Sequence, residues 1–139
     1  MRKPVPMLLL LLIPVTQVWA DMIKAPGHIE GATTLTAEKT IELILNDPSL
    51  VLIDSRKFEE FEKGHIESAI NLPDTDMSAE VLARYATGRD TPILFYCNGP
   101  RCLRSTNAIT KAISWGYQQL YWFRGGWLEW QQKKLPVAQ

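Results

Sequence analysis

The chain is poor in the residues that hold metals or staple small domains. Only two cysteines and two histidines occur among its 139 residues. Two cysteines are too few for a disulfide-stabilised scaffold. Nothing in the spacing brings His28 or His65 toward Cys97 and Cys102, as a zinc site would require. Internal repeats and low-complexity tracts are also missing, so the composition argues against disulfide-rich scaffolds, zinc proteins and repeat arrays.

An excess of charge of either sign is missing too. The 15 basic side chains are balanced by 15 acidic ones, for a formal net charge of zero. Such a chain has no overall electrostatic attraction to nucleic acids or to anionic membranes. We therefore expect no nucleic-acid partner.

The N-terminus contains an uninterrupted apolar run at positions 7–13, preceded by Arg2 and Lys3. Pro14 ends this run well short of the roughly 20 residues that a membrane-spanning helix needs. The small residues in Val18-Trp19-Ala20 are typical of a signal-peptidase site. A signal peptide is therefore favoured over an uncleaved anchor.

We expect residues 1–20 to be this signal peptide, with export to the bacterial periplasm and no stable membrane insertion after cleavage. Loss of Arg2 and Lys3 leaves 13 basic side chains against 15 acidic ones, a net charge of −2. An exported chain meets oxidants, so its two cysteines are able to pair. Residues 21–32 contain proline and glycine without periodicity and predict an N-terminal arm.

From residue 33 to residue 136 short apolar runs alternate with helical patterns. Strands are predicted in "LVLID", "AINLP", "PILFY" and "QLYWF". Helices are predicted after the capping residues Thr36 and Ser78, in "KFEEFEKG", over residues 103–115 and in "WLEWQQKK". Inward-facing positions are predicted to include Leu45 and Tyr85. Regular alternation of this kind predicts one α/β domain with an open, mainly parallel sheet.

Two strands of this sheet end in reactive or charged residues. Asp54-Ser55-Arg56 follows "LVLI", and Cys97 follows "ILFY". Ligands of open α/β sheets bind outside the carboxyl ends of the strands. These two chain segments are therefore the candidates for a functional site.

The loop from Cys97 to Cys102 lies between a predicted strand and a predicted helix. Backbone N–H groups in such a loop can converge on an anion, and Arg101 adds a positive charge. The same environment stabilises a thiolate, which would make Cys97 a nucleophile. Gly99 is expected to provide a positive φ angle for the curl, whereas Pro100 removes one N–H donor. The alternative is that Cys97 is an inert apolar residue at a strand end.

Three motifs in this order resemble a single-domain rhodanese from about Thr33 to Pro136. They are "LIDSRKFEEFEKGHIESAINLP", "LFYCNGPRCLRS" and "LYWFRGGWLEW". The resemblance implies a sheet of about five strands with helices on both faces. It also implies that Cys97 is the sulfur-carrying nucleophile and that residues 97–102 form the active-site loop.

The implied reaction moves sulfane sulfur from a small anionic donor such as thiosulfate to a thiol or cyanide acceptor. A persulfide on Cys97 is the intermediate, and neither a metal nor a cofactor is required. Arg101 is expected to bind the donor, together with Asn98 and Gly99 of the loop. The resemblance also places Asp54 and Arg56 at the site's edge. Their roles stay open between substrate contact and pairing with one another or with Glu60.

Other side chains near these motifs are predicted to be structural. A related phosphatase loop would need arginine at position 103, which is Leu103, so phosphatase chemistry is disfavoured. His65 is expected to have a structural role in a turn. The tryptophans near Gly125 and Gly126 are expected to belong to the core, namely Trp122, Trp127 and Trp130.

Cys102 departs from the rhodanese pattern, in which a small polar residue is more usual at that position. It could be a spare side chain, a resolving thiol that attacks Cys97, or the partner in an oxidisable switch. Pairing requires the two Cα atoms to lie within roughly 7 Å of each other. The alternative function is therefore a periplasmic thiol redox protein with a Cys97–Cys102 disulfide. A non-catalytic binding module with the same fold is a third hypothesis.

Overall fold

A computed structural model describes residues 24–139. The predicted signal peptide, residues 1–20, lies outside the described residues, as does the start of the predicted arm. Within the described residues, no helix combines the length and the apolar character needed to span a membrane.

The described chain contains seven strands and five helices. The strands are β1 (Thr33–Thr34), β2 (Val51–Asp54), β3 (His65–Ile66), β4 (Ile70–Asn71), β5 (Ile93–Tyr96), β6 (Leu120–Phe123) and β7 (Val137–Ala138). The helices are α1 (Ala37–Asn46), α2 (Phe58–Lys63), α3 (Ala79–Tyr85), α4 (Arg104–Ser114) and α5 (Gly126–Gln132). Every helix and strand predicted from the sequence is present, and β1, β3 and β7 are additional.

Five strands form a parallel sheet in the order β1, β6, β5, β2, β4. Strands β3 and β7 make a separate antiparallel pair. The central strands β5, β2 and β6 are covered by side chains on both faces, which explains why their sequences are continuous apolar runs. The expected parallel α/β sheet is therefore confirmed.

Alternate residues of the central strands enter two separate cores. Ile53, Phe95 and Trp122 pack on one face with α3 and α4. Leu94 and Phe123 pack on the other face with α1 and α5. Because strand side chains alternate between faces, each strand contributes to both cores. Helices thus flank the sheet on both sides, as predicted.

The helix starts follow from side-chain caps. The hydroxyl of Thr36 accepts a hydrogen bond of 3.2 Å from the Lys39 N–H at the start of α1. The hydroxyl of Ser78 accepts one of 3.2 Å from the Val81 N–H at the start of α3. Each bond satisfies a donor that has no partner within its helix. Both predicted caps are confirmed.

Two residues predicted to face inward are exposed. Leu45 is 77% exposed and Tyr85 is 44% exposed. The buried stripe of α1 passes through Ala37 and Thr40, and Leu45 lies roughly a quarter-turn away from it. In α3 the buried stripe continues from Leu82 to Ala86, which leaves Tyr85 on the flank. These two predictions were wrong because the apolar pattern was wider than the buried face.

Candidate functional site

Cys97 lies at the carboxyl edge of the sheet, directly after β5. Its side chain is 1% exposed. Asp54 at the end of β2 pairs with Tyr96 at the end of β5, and the Ser55 N–H donates to the Tyr96 carbonyl at 2.9 Å. The parallel arrangement therefore brings the two predicted segments, 54–56 and 97–102, to neighbouring strand ends.

The loop from Cys97 to Cys102 is held by its own turn and by the start of α5. The Cys102 N–H donates to the Gly99 carbonyl at 3.0 Å. The Trp127 N–H donates to the Cys97 carbonyl at 2.8 Å, and the Leu128 N–H donates to the Asn98 carbonyl at 2.9 Å. Two N–H groups of α5 that lack helical partners are thereby satisfied by the loop.

The close approach of α5 depends on Gly126. Its φ angle is +59°, and a Cβ at this position would lie 3.0 Å from the Asn98 carbonyl carbon and closer still to the Cys97 oxygen. Gly99, by contrast, does not have a positive φ angle. The prediction for Gly99 was therefore wrong, because the left-handed glycine that shapes the loop comes from the next strand–helix connection.

Cys97 and Cys102 are joined by a disulfide bond, with their Cα atoms 6.2 Å apart. Cys97 is buried, whereas Cys102 is half-buried and lines a cleft at the surface. The curl of the loop brings its two ends within bonding distance. This arrangement favours the two roles in which Cys102 reacts with Cys97 over that of a spare side chain.

The cleft has a volume of about 630 Å³ and lies over the loop. Asn98, Gly99 and Arg101, which the sequence analysis named as candidate substrate-binding residues, line this cleft. The Asn98 amide also donates to a carboxylate oxygen of Glu60 at 3.0 Å. Arg101 is exposed and forms no ion pair with another residue in the 24–139 range. Its guanidinium is therefore free to bind an anion in the cleft.

Four residues that line the cleft were not predicted to do so from the sequence. Lys24 comes from the N-terminal arm, Leu128 and Gln131 come from α5, and Trp127 was expected in the core. Trp122 and Trp130 are buried, as expected. The Gly125-Gly126 pair after β6 was the signal that could have placed the start of α5 at the same edge of the sheet as the loop.

The N-terminal arm contacts the loop directly. The Ala25 N–H donates to the Pro100 carbonyl at 2.6 Å. Arg124, after β6, donates to the carbonyls of Pro26 at 2.7 Å and of Ala25 at 2.9 Å. These bonds hold the described part of the arm beside the cleft and bring Lys24 to its edge.

Asp54 and Arg56 form a buried ion pair rather than a surface for substrate. The Arg56 Nη2 lies 2.7 Å from Asp54 Oδ2, and the two side chains are 2% and 0% exposed. The Tyr96 hydroxyl donates to Asp54 at 2.7 Å, and Arg56 also donates to the Gly64 carbonyl at 2.7 Å. Neither Asp54 nor Arg56 lines the cleft. Of the two roles that the sequence left open for these residues, the structure shows the pairing of Asp54 with Arg56.

Burial of this network shifts its titration. Burial raises the pKa of Tyr96 well above its usual value, and the neighbouring Asp54 carboxylate adds to the shift. Burial alone would lower the pKa of Arg56, but the hydrogen bonds and charge of Asp54 outweigh it and raise that pKa. The tyrosine therefore stays protonated and the arginine stays charged.

His65 has the structural position that the sequence predicted. Its ring stacks on Phe61 with 3.6 Å between centroids, and its Nδ1 lies 2.9 Å from the Phe61 carbonyl oxygen. Its backbone pairs with Ala138 in the β3–β7 ladder. His65 does not line the cleft.

The sequence model for the family described as "Rhodanese-like domain" matches residues 36–133, more than two thirds of the chain. Among solved structures, the thiosulfate sulfurtransferase from Pseudomonas aeruginosa is similar, with a TM-score of 0.66 and 19% identity. The similarity covers 77% of this chain and 20% of that one. At this level of identity the structural likeness shows the fold alone.

Two curated relatives match over most of the chain. The uncharacterised protein YibN of Escherichia coli strain K12 is 29% identical over 96 residues, which cover 68% of this chain and 65% of YibN. A tRNA uridine(34) hydroxylase of Erwinia tasmaniensis is 32% identical over 119 residues, covering 77% of this chain and 31% of the hydroxylase. The matched region thus spans less than two thirds of either relative. Because the family model matches residues 36–133, this chain belongs to the rhodanese-like family, and its parallel α/β fold is consistent with that assignment.

Proposed function

We propose that this protein is a sulfurtransferase that carries sulfane sulfur on Cys97. The observation that supports this most directly is the position of Cys97 at the carboxyl end of β5, at the start of a loop whose Arg101 has no ion-pair partner among residues 24–139. Membership of the rhodanese-like family and the fold shared with a thiosulfate sulfurtransferase support the same chemistry.

The reaction requires the reduced form of the cysteine pair. The Cys97 thiolate attacks the outer sulfur of a donor such as thiosulfate, and the sulfur–sulfur bond of the donor breaks. Sulfite leaves with the electron pair of that bond, and Cys97 becomes a persulfide. A thiolate or cyanide acceptor then attacks the outer sulfur and restores the Cys97 thiolate.

Arg101 is the residue that binds the anionic donor in this proposal. Its guanidinium lines the same cleft as the loop backbone and has no anionic partner in the described chain. A guanidinium binds sulfur oxyanions through charge-assisted hydrogen bonds. Lys24 adds a second positive charge at the cleft edge.

The test is a single turnover of the reduced protein with thiosulfate. We expect release of sulfite and addition of one sulfur atom to the peptide that contains Cys97. The Cys97→Ser protein, shown to be folded by its thermal melting, should release no sulfite. Equal sulfite release by both proteins would refute the proposal.

A second candidate function is a thiol redox protein, and the Cys97–Cys102 disulfide is the observation that favours it. Equilibration of the cysteine pair with glutathione buffers discriminates between the two. A reduction potential more oxidising than roughly −200 mV, without sulfur transfer, would support the redox function.

We further propose that the protein acts after export to the bacterial periplasm. The proposal rests on the signal-peptide pattern of residues 1–20. Cell fractionation, with N-terminal sequencing of the recovered protein, tests it. A mature N-terminus near Asp21 is the expected result.

A further inference from the structure

The two cysteines of the Cys97–Cys102 disulfide differ in their burial. Cys97 is 1% exposed and does not line the cleft of about 630 Å³, whereas Cys102 is half-buried and lines it. An incoming thiol in the cleft therefore meets the sulfur of Cys102 first. Thiol–disulfide exchange depends on which sulfur is accessible to the attacking thiolate.

We propose that Cys102 is a resolving residue that converts the Cys97 persulfide into free sulfide. This inference rests on the proposed sulfurtransferase function. It extends that function to a thiol-dependent reduction of the sulfur donor. The bond between Cys97 and Cys102 is then the product of each turnover rather than a fixed structural link.

The resolving step is an attack within one loop. The Cys102 thiolate attacks the inner sulfur of the Cys97 persulfide, the bond between inner and outer sulfur breaks, and hydrosulfide leaves with its electron pair. The Cα separation of 6.2 Å allows this attack without opening of the loop. The product is the Cys97–Cys102 disulfide seen in the structure.

The disulfide is then reduced from the cleft. A thiolate attacks the accessible Cys102 sulfur, Cys97 leaves as a thiolate, and a mixed disulfide forms on Cys102. A second thiol releases Cys102 and carries away the oxidised thiol pair. One thiosulfate and two thiols thus give one sulfite, one hydrogen sulfide and one disulfide, so that the external thiols supply both electrons.

The experiment compares the reduced wild-type protein with Cys102→Ser under anaerobic conditions, with one equivalent of thiosulfate and no added thiol. The wild-type protein is expected to release one equivalent each of sulfite and sulfide and to lose the mass of two hydrogen atoms. The Cys102→Ser protein is expected to release no sulfide and to retain the mass of one added sulfur. A wild-type persulfide that persists, without sulfide release, would overturn the inference.

A second route to the persulfide separates this inference from the proposed function. If neither protein releases sulfite from thiosulfate, the proposed use of that donor fails. Inorganic tetrasulfide then loads the cysteines chemically, and the masses are read again. Disulfide in the wild type together with retained sulfur in Cys102→Ser supports the resolving role. Retained sulfur in both proteins contradicts it.

Discussion

Arg101 is the only charged side chain between Cys97 and Cys102, and it is exposed at the cleft. The other arginines near the site are engaged elsewhere. Arg56 pairs with Asp54 inside the fold, and Arg104 pairs with Asp74 at 3.1 Å. An arginine already held by a carboxylate has less to gain from a substrate anion. Donor recognition at the scale of single residues therefore falls to Arg101.

Replacement of Arg101 by alanine should raise the Michaelis constant for thiosulfate by about tenfold, since the loss of one charge-assisted contact costs about 1.5 kcal/mol. The constant for a neutral persulfide donor should change little. Steady-state kinetics with both donors measure the contrast. Arg84→Ala, which removes the same charge from an exposed position on α3, is the control. Equal effects of the two substitutions on thiosulfate would exclude a role for Arg101 in donor binding.

At the scale of elements, the active-site loop is held by neighbours that are distant in sequence. The start of α5 donates two hydrogen bonds to the loop, and the arm donates one through Ala25. Helix α4 follows the loop. Asp74 holds the start of this helix by accepting hydrogen bonds of 3.1 Å from Arg104 and Asn107. The loop conformation therefore depends on three separate connections of the fold.

The Gly126→Ala substitution should lower the free energy of unfolding by about 1–3 kcal/mol, because a side chain here has an unfavourable φ angle and contacts the loop backbone. Urea unfolding measures the change. Gly27→Ala is the matched control, since nothing lies within 4 Å of a Cβ at that position. Equal urea midpoints for the two variants would show that the start of α5 does not pack closely against the loop backbone.

At the scale of the whole molecule, a buried polar network links strands and a helix that are distant in sequence. The Tyr96 hydroxyl donates to Asp54 in β2 and accepts from the Ile66 N–H in β3 at 3.1 Å. Arg56 extends the network to the Gly64 carbonyl and lies 4.6 Å from the Trp127 ring centroid. The side chains of Asp54, Arg56 and Tyr96 thus connect the parallel sheet, the β3–β7 pair and the start of α5.

This network predicts a loss of stability at alkaline pH. The raised pKa of Tyr96 keeps its proton in the folded state, whereas an unfolded tyrosine loses it near pH 10, at roughly its usual pKa. The stabilising contribution is therefore complete below about pH 10 and declines as the pH rises further. Urea unfolding between neutral and strongly alkaline pH should show this decline in the wild-type protein.

The Tyr96→Phe protein isolates this effect. It should be less stable at neutral pH by about 1–3 kcal/mol, since Asp54 and the Ile66 N–H lose a buried partner. Its stability should then fall less steeply above pH 10 than that of the wild type. Tyr85→Phe, which alters an exposed tyrosine, should follow the wild-type curve. Parallel curves for Tyr96→Phe and wild type would contradict the assigned burial of the tyrosine.

Local sequence patterns were sufficient to predict four of the five strands of the parallel sheet, the two helix caps and the place of Cys97 after a buried strand. These features depend on local patterns, because apolar runs, capping hydroxyls and helix-ending glycines act over a few residues. The strands β1, β3 and β7 were not predicted, because each contains only two residues and is defined by its pairing with a strand that is distant in sequence. The apolar patterns of α1 and α3 were wider than the faces that pack on the sheet, so the exposure of Leu45 and Tyr85 was not predicted.

Which of the candidate residues contact one another depends on tertiary packing. It buried Asp54 and Arg56 together, brought Trp127 and Lys24 to the cleft, and gave the critical positive φ angle to Gly126 rather than to Gly99. It also brought Cys102 to Cys97, although a spacing of five residues is compatible with several loop shapes. Contacts between distant segments depend on how the whole chain packs, and no local sequence pattern encodes that packing.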